Sequence, residues 1–392
     1  MEGSPVMYLE ETAEELALRA ELRAYFADLL TDEARRALDS ETEGGAMHRT
    51  LVRRMGKDGW LGIGWPKEYG GQGRPVSDQF IFFNEVQRAR APFPFVTLNT
   101  VGPMLMRYGT EEQKSYFLSG ILAGEISCAI GYTEPGAGTD LASLRTRAVL
   151  DGDEWTINGN KVFTSGADQA DFIWLATRTD PDAPKHKGIS IFLVPTSDPG
   201  FSCTPIVTVG NVVTTASYYD NVRVPKSAMV GGLNEGWRLI TGQLNHERVG
   251  LGAMSALPTR LWAETADWAI DEGLGDVDWV QADLARTYAL LEAQKLLNWR
   301  MVAAVADETL GPADSSAVKV FGTETTLEIY RRLLGIVGSA GYLHAYEPGA
   351  AIRGDLERAG RQSQINTFGG GVNEVQREIL ATAGLGMKRS AR

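Results

Sequence analysis

Hydrophobic positions recur at three- and four-residue spacing through 14–30, 49–59, 78–89 and 111–119, which predicts four amphipathic helices near the start of the chain. The stretches between them, 65–73 and 90–94, are rich in Gly, Pro and other turn residues, and Thr110 is placed to cap the helix that follows it. From Cys128 the period changes. Short β-branched or aromatic segments at 146–150, 154–157, 172–177, 189–194 and 222–224, separated by Asp-Gly, Asn-Gly and Pro turns, predict a β-rich middle lobe built as a small barrel. After Gly236 the helical period returns in long runs, 237–256, 279–306 and 317–334, as expected of antiparallel bundle helices. The chain therefore divides into an N-terminal helical domain (1–125), a middle β-barrel domain (126–235) and a C-terminal helical bundle domain (236–392), an α+β protein. It shows no internal repeat and no low-complexity linker.

Composition narrows the function classes. The 392 residues are 43% hydrophobic and 22% charged, enough for two or three cores. Thirty-eight basic against fifty acidic side chains give a net charge of -12, which speaks against nucleic acid or an anionic membrane surface as partner. Only Cys128 and Cys203 are present, too few for a disulfide framework, and the four histidines (His48, His186, His246, His344) are too scattered for a metal site. Residues 1–15 are acidic and lack a secretory pattern, and no apolar run reaches about 18 residues, so the expected location is cytoplasmic.

The chemistry sits in ordered motifs. Tyr132-Thr133-Glu134-Pro135-Gly136-Ala137-Gly138-Thr139-Asp140 is followed by Asn158-Gly159-Asn160-Lys161-Val162-Phe163-Thr164-Ser165-Gly166 and then Ala170-Asp171. Glycines at 136 and 138 let backbone approach a ligand closely, and the Thr133 and Thr139 hydroxyls can meet its polar edges. Alone, Pro-Gly-Ala-Gly is most often a simple loop and Phe163 a core aromatic. Further on come Tyr219-Asp220-Asn221-Val222-Arg223-Val224-Pro225-Lys226, Asn234-Glu235-Gly236-Trp237, Leu244-Asn245-His246-Glu247-Arg248, and Gly369-Gly370-Gly371 before Asn373-Glu374-Val375-Gln376-Arg377. Together, over nearly the whole chain, they resemble the acyl-CoA dehydrogenase family.

That resemblance implies an N-terminal helical domain, a middle β-barrel and a C-terminal four-helix bundle around FAD. It implies a flavin site of Tyr132, Thr133, Gly138, Thr139, Phe163, Thr164 and Ser165: Thr133 at the pyrimidine edge, Thr139 at the diphosphate, Ser165 near N5, and Phe163 where the family usually carries tryptophan. Desaturating an acyl-CoA thioester needs a base for the α proton, and many members carry a catalytic glutamate where this chain has Gly370. Isovaleryl-CoA and long-chain relatives place it at the position of Glu247, so Glu247 replaces the missing base, with Arg248 orienting it or touching substrate. Considered by itself, a helical glutamate beside an arginine is usually a solvated pair. A free glutamate, of pKa about 4.3, is a poor base, so the site must exclude water and raise that value. The resemblance also assigns the Gly370 backbone amide as one donor to the enolate oxygen, beside the ribityl hydroxyl of FAD.

Two departures concern assembly. Homotetrameric members complete the FAD site with a neighbour's Arg-x-x-Phe-Gly and a glutamine before a Gly-Gly-x-Gly turn. Here 267–274 contains no arginine, and Gly335 stands where the glutamine belongs. A second acyl-CoA dehydrogenase-like subunit would supply both, the α2β2 arrangement of actinobacterial heteromeric enzymes acting on steroid side chains. The expectations that the resemblance implies are thus an acyl-CoA substrate, a steroid (cholesterol) side-chain CoA ester, with an electron-transfer flavoprotein as acceptor. The alternatives are a self-sufficient isovaleryl-type homotetramer, and a non-catalytic partner or flavin monooxygenase on the same fold. Ser315, Ser316, Lys319, Thr323 and Glu324 fit the family's pattern but equally a capped helix with an exposed lysine, and Arg361 lacks the aspartate that usually follows it.

Overall fold

A computed structural model describes residues 10–41, 44–243 and 255–388. The first domain contains α1 (Ala13–Leu29), α2 (Asp32–Ser40), α3 (Ala46–Lys57), α4 (Val76–Ala89), α5 (Gly102–Tyr108) and α6 (Glu111–Leu122). Thr12 and Thr110 close capping boxes with Glu15 and Gln113, satisfying the first amides of α1 and α6. The apolar faces of these helices meet at Leu22, Phe26, Met55 and Phe82, and the Trp60 ring stacks on Phe82 at 6.2 Å. Inside this domain lies a charge. Glu85, 1% exposed on α4, accepts from Arg19 at 2.8 Å and Arg23 at 3.1 Å, both on α1. The pattern did not announce α2, whose nine residues are mostly polar.

The strands of the middle domain are β1 (Cys128–Gly131), β2 (Arg147–Asp151), β3 (Glu154–Val162), β4 (Phe172–Arg178), β5 (Ile189–Pro195), β6 (Phe201–Val207), β7 (Val213–Pro225) and β8 (Met229–Val230). They form one mixed sheet in the order β6-β7-β3-β2-β4-β5-β8, with β1 parallel to β4. Trp155 of β3 meets Phe192 of β5 at 5.3 Å across two intervening strands, so the sheet curls round its own core of Ile157, Ile173, Leu175, Val194, Val222 and Val224. Alternate residues of β4 and β5, Trp174, Ala176, Ile189, Ile191 and Leu193, point outward into the core of the helical domain. Both faces are dry there. This explains why 172–177 and 189–194 read as nearly unbroken apolar runs rather than alternating ones.

One expected turn is a bulge. Asn158-Gly159 lies within β3, where the pairing with β7 slips between Ile157 and Gly159. Gly159 has φ +148, and a Cβ there would come within 2.6 Å of Thr146 Oγ1. The segment at 222–224 is likewise only the end of the thirteen-residue β7.

The third domain starts with α7, which begins at 236 and is described to 243, so the remainder of the expected 237–256 helix up to 254 is outside the described residues. Beyond it come α8 (Ala256–Asp271), α9 (Asp278–Ala306), α10 (Pro312–Val337), α11 (Asp355–Gln362) and α12 (Asn373–Ile379). Helix α10 starts earlier than the apolar period suggested because Pro312 opens its first turn. Leu261, Val280, Leu291, Ile329, Leu333 and Leu356 form this domain's core. It is fastened to the first domain by Asp355, which takes Arg260 at 2.7 Å and also Arg90 from the end of α4, and by the Arg358–Asp39 pair. Among the described residues no helix is long and apolar enough to cross a membrane, no side-chain group could hold a metal, and both cysteines are free.

Removing a buried carboxylate leaves its cations with less compensation; here Arg19 keeps Glu11 and Asn84 and Arg23 is half exposed, so the loss is smaller than the about 3–5 kcal/mol of a fully stranded charge. Glu85→Gln should still lower the urea midpoint of the first domain, read from the fluorescence of Trp60 and Trp65, more than a substitution at exposed Glu111, whose partner Lys114 is one turn away.

Candidate active site

The loop after β1 is fastened from beneath. Glu134 and Ala137 exchange backbone hydrogen bonds of 3.1 and 3.0 Å, closing a tight turn over Pro135-Gly136. The Glu134 carboxylate, 8% exposed, accepts from the backbone N–H groups of Arg145 (2.7 Å) and Thr146 (2.8 Å) and from Lys161 Nζ (2.9 Å). Lys161 is wholly buried and also donates to the Tyr132 carbonyl at 3.0 Å. Burial pushes the Lys161 ammonium down to about 8 while Glu134 opposes that shift. Burial likewise disfavours the ionised Glu134, but Lys161 and the Thr146 N–H outweigh it and hold the carboxyl below its usual range. The Val162 N–H reaches the Thr133 carbonyl at 2.8 Å, so the two motifs at 132–140 and 158–166 form one unit.

The outer rim of this unit is open. A Cβ at Gly136 would meet nothing within 4 Å, and Gly138 and Thr139 are exposed. Among the described residues the Thr133 and Thr139 hydroxyls have no protein partner. Phe163 is 63% exposed at φ +61, a backbone region that a bulky side chain enters at a cost of roughly 1–3 kcal/mol. The Val162 and Thr164 amides, bonded to the Thr133 and Thr215 carbonyls, hold it there with its ring turned outward. Ser165, also exposed, donates to Thr214 Oγ1 at 3.0 Å. A planar ring system with polar edges fits this rim of one outward aromatic, unpaired hydroxyls and glycine backbone.

Two of the predicted flavin-site residues, Thr164 and Tyr132, have their side chains engaged by the protein, so any contact they make at the rim is through backbone. The Thr164 side chain is fully buried, its hydroxyl 3.3 Å from Ser217 Oγ, while its backbone, two residues past the end of β3, is held by Thr215 of β7, whose carbonyl accepts from the Thr164 N–H at 3.0 Å and whose hydroxyl donates to the Thr164 carbonyl at 2.7 Å. The Tyr132 hydroxyl is committed to the protein: it accepts from Trp174 Nε1 at 2.9 Å and donates to Gln243 Oε1 at 2.5 Å, tying the loop to α7. Glu247 and Arg248, the expected base and its neighbour, lie outside the described residues.

Gly369, Gly370 and Gly371 form an exposed turn before α12, with φ +66 at Gly370 and +90 at Gly371. A Cβ at Gly370 would stand in open space. Its carbonyl accepts from Gln376 Nε2 at 2.9 Å, and Gln376 in turn accepts from Ser316 Oγ at 2.7 Å. Its N–H makes no bond among the described residues. Lys319 is not the exposed lysine expected on α10: it is partly buried, and burial pushes its ammonium down to about 8. Arg361 finds Glu357 and the Val209 carbonyl in place of the absent aspartate.

A cleft of about 780 Å³, counting its open mouth, runs between α3, the 94–97 segment and the Ser165 turn. His48, Arg49, Val52, Phe95, Thr97 and Ser165 line it. Pro94 also lines it, and no residue of the 65–73 loop does. His48 and Arg49 carried no distinguishing sequence signal, since a lone histidine on a helix is commonplace. Arg49 bridges to the Gly44 and Gln169 carbonyls and to Asp171, whose carboxylate holds the Ser127 amide and hydroxyl at 2.8 Å. Burial, with Arg49 adding to it, pushes the His48 imidazole down to about 4.

A helical domain, a curled sheet and a helical bundle, with an open rim of glycine, hydroxyl and aromatic groups on the sheet, define the frame of a flavin-type dehydrogenase. The chain belongs to the acyl-CoA dehydrogenase family: profiles for that family's N-terminal, middle and C-terminal domains match residues 12–125, 129–222 and 234–385. It is 49% identical to the acyl-CoA dehydrogenase FadE26 of Mycobacterium tuberculosis, covering 98% of this chain and all of that protein. Among solved structures it resembles the Tcur3481-Tcur3483 steroid ACAD at 60% identity and TM-score 0.95, covering 98% of this chain and 100% of that one. It also resembles the ChsE4-ChsE5 complex from Mycobacterium tuberculosis at 49% identity and TM-score 0.92, with the same coverage.

Tyr132→Phe would leave the buried Trp174 indole N–H and Gln243 amide without this partner, a loss of about 1–3 kcal/mol, visible as a melting temperature several degrees lower. A histidine at about 4 when folded and 6.5 when unfolded takes up protons preferentially on unfolding, so stability falls as pH drops through that window. His48→Gln should flatten the fall in melting temperature between about pH 6.5 and 4, an effect of at most about 3 kcal/mol.

Proposed function

We propose that this chain is the base-bearing subunit of a cytoplasmic, two-component FAD-dependent acyl-CoA dehydrogenase that desaturates the α,β bond of a steroid side-chain CoA thioester. The observation that carries this reading is the glycine turn at 369–371: position 370 offers an amide and open space instead of a carboxylate, so the base must come from elsewhere, and Glu247 is the candidate. The similarity to a steroid ACAD and to a two-protein complex supports the substrate class and the unlike partner. The missing arginine before Ala282 and the Gly335 replacement support the same assembly, since a like neighbour could not complete a flavin site.

In this mechanism Thr133, Gly138, Thr139, Phe163 and Ser165 would hold FAD, with Tyr132 and Thr164 contributing backbone groups. When bound, FAD supplies the acceptor for the hydride from the β carbon, and an electron-transfer flavoprotein removes the electrons. Glu247 takes the α proton. For that its carboxyl must sit away from water with its pKa raised toward neutrality, and Arg248 orients it or contacts substrate. The Gly370 N–H donates to the thioester oxygen as negative charge develops there, where a fixed donor stabilises the transition state more than the substrate. Lys161 acts at a distance, fastening the 132–146 loop through the Tyr132 carbonyl and the Glu134 carboxylate.

Glu247→Gln keeps the side-chain size and removes the base. Turnover by the flavin-loaded assembly should fall by about 10²–10⁴-fold with little change in FAD content; retained activity would overturn the assignment. Expressed alone, the chain should be nearly colourless. Coexpressed with an acyl-CoA dehydrogenase-like partner it should gain one FAD per unlike pair, whereas a yellow, active homotetramer would favour the self-sufficient isovaleryl-type enzyme.

A further inference from the structure

The Gly369–Gly371 turn combines the most permissive backbone in the chain with a task that demands a fixed amide. Three consecutive glycines have no side chains to anchor them and reach many φ/ψ combinations at little steric cost. Their conformation is set instead by side chains from two neighbouring helices. Lys319 of α10 uses its ammonium on three oxygens: the Gly371 carbonyl at 2.9 Å, the Thr367 carbonyl at 3.1 Å and Asn373 Oδ1 at 2.5 Å. Asn373 is held from its other side, its amide donating to Thr323 Oγ1 at 3.1 Å and Glu324 Oε1 at 3.0 Å. Gln376, itself fixed by Ser316, takes the Gly370 carbonyl. Carbonyls before, within and at the end of the turn are thus drawn toward α10 and α12. Nothing described occupies the Gly370 N–H. Among the described residues Lys319 has no carboxylate within 4.0 Å, and Glu374 and Glu324 favour its charge only from a greater distance, so its direct bonds all go to the turn and Asn373.

We propose that Lys319 is a positioning residue for the Gly370 amide: by clamping the turn that bears it, Lys319 keeps the N–H aimed at the thioester oxygen and so sets how strongly the enzyme acidifies the substrate's α proton. This rests on the dehydrogenase reading above. Ser316 and Gln376 form the second half of the clamp. In this role Lys319 acts through the turn, by its bonds to the Thr367 and Gly371 carbonyls and to Asn373.

The test uses the flavin-loaded assembly and a CoA thioester with sulfur in place of the β carbon, which can lose its α proton but no hydride. The pH midpoint for forming its deprotonated complex, followed by long-wavelength absorbance, reports the acidification directly. Lys319→Met should raise that midpoint by about one unit, a tenfold weaker acidification, with FAD content retained. Lys319→Arg, which keeps the donors, should restore most of it. Ser316→Ala, a milder loosening of the same turn, should shift it the same way by less, which provides a readout should the lysine variant fold poorly. Midpoints in Lys319→Met or Ser316→Ala equal to wild type overturn the proposal while leaving the dehydrogenase reading intact. A wild-type assembly that never deprotonates the analogue overturns that reading, and the proposal with it.

Discussion

The candidate site depends on a buried pair, Lys161 and Glu134. A lysine with no solvent exposure is a rare and expensive feature, tolerable only when its hydrogen bonds are met and its charge is compensated. Here the ammonium meets a carboxylate and a carbonyl, and the carboxylate takes two backbone N–H groups as well. The pair therefore orders the chain from Tyr132 to Thr146 together with the few apolar residues of that stretch, Ala137 and Leu144, that reach the core. That is what lets the rim above it consist of glycine, threonine and an outward phenylalanine, none of which could hold a loop in shape unaided.

The curled sheet extends this rigidity to both neighbours. Because β4 and β5 bury both faces, one row of side chains closes the sheet's own core and the other packs on the helical domain, so the rim cannot move independently of α4 and α5. Tyr132 carries the linkage onward, from the Trp174 indole of β4 to Gln243 of α7. At the opposite end of the chain a comparable division of labour recurs: the glycines at 369–371 provide an accessible amide, and long polar side chains from α10 and α12 provide its constraint. In both places, conformational freedom near the ligand is restrained by hydrogen bonds placed behind it.

Much of this was legible in advance. The change from helical to alternating period at Cys128 and back after Gly236 follows from burial of one face per element, and it located the three domains' secondary structure to within a few residues in most places. The ordered motifs located the rim, and the positive φ at Gly370 and Gly371 matches the freedom their composition suggests. The departures from local pattern share one origin. Asn158-Gly159 has turn chemistry yet sits in a strand, because Thr146 comes close enough to the glycine to favour a bulge. Thr164 has a ligand-binding residue type, and its hydroxyl lies inward beside Ser217, held from the neighbouring strand by Thr215. Lys319 looked like a solvated helix lysine until the C-terminal turn folded over it.

By itself the sequence determined the periodicities, the order of the motifs, the family they belong to and the exchange of a carboxylate for a bare backbone at 370, because each of these is a property of residue type and local spacing. Tertiary structure alone decided which polar groups are paired and which are left for a ligand. The partners of Lys161, Tyr132 and Lys319 lie 27, 111 and 54 residues away, and hydrogen bonds over such separations are fixed by how the domains pack, not by any local pattern.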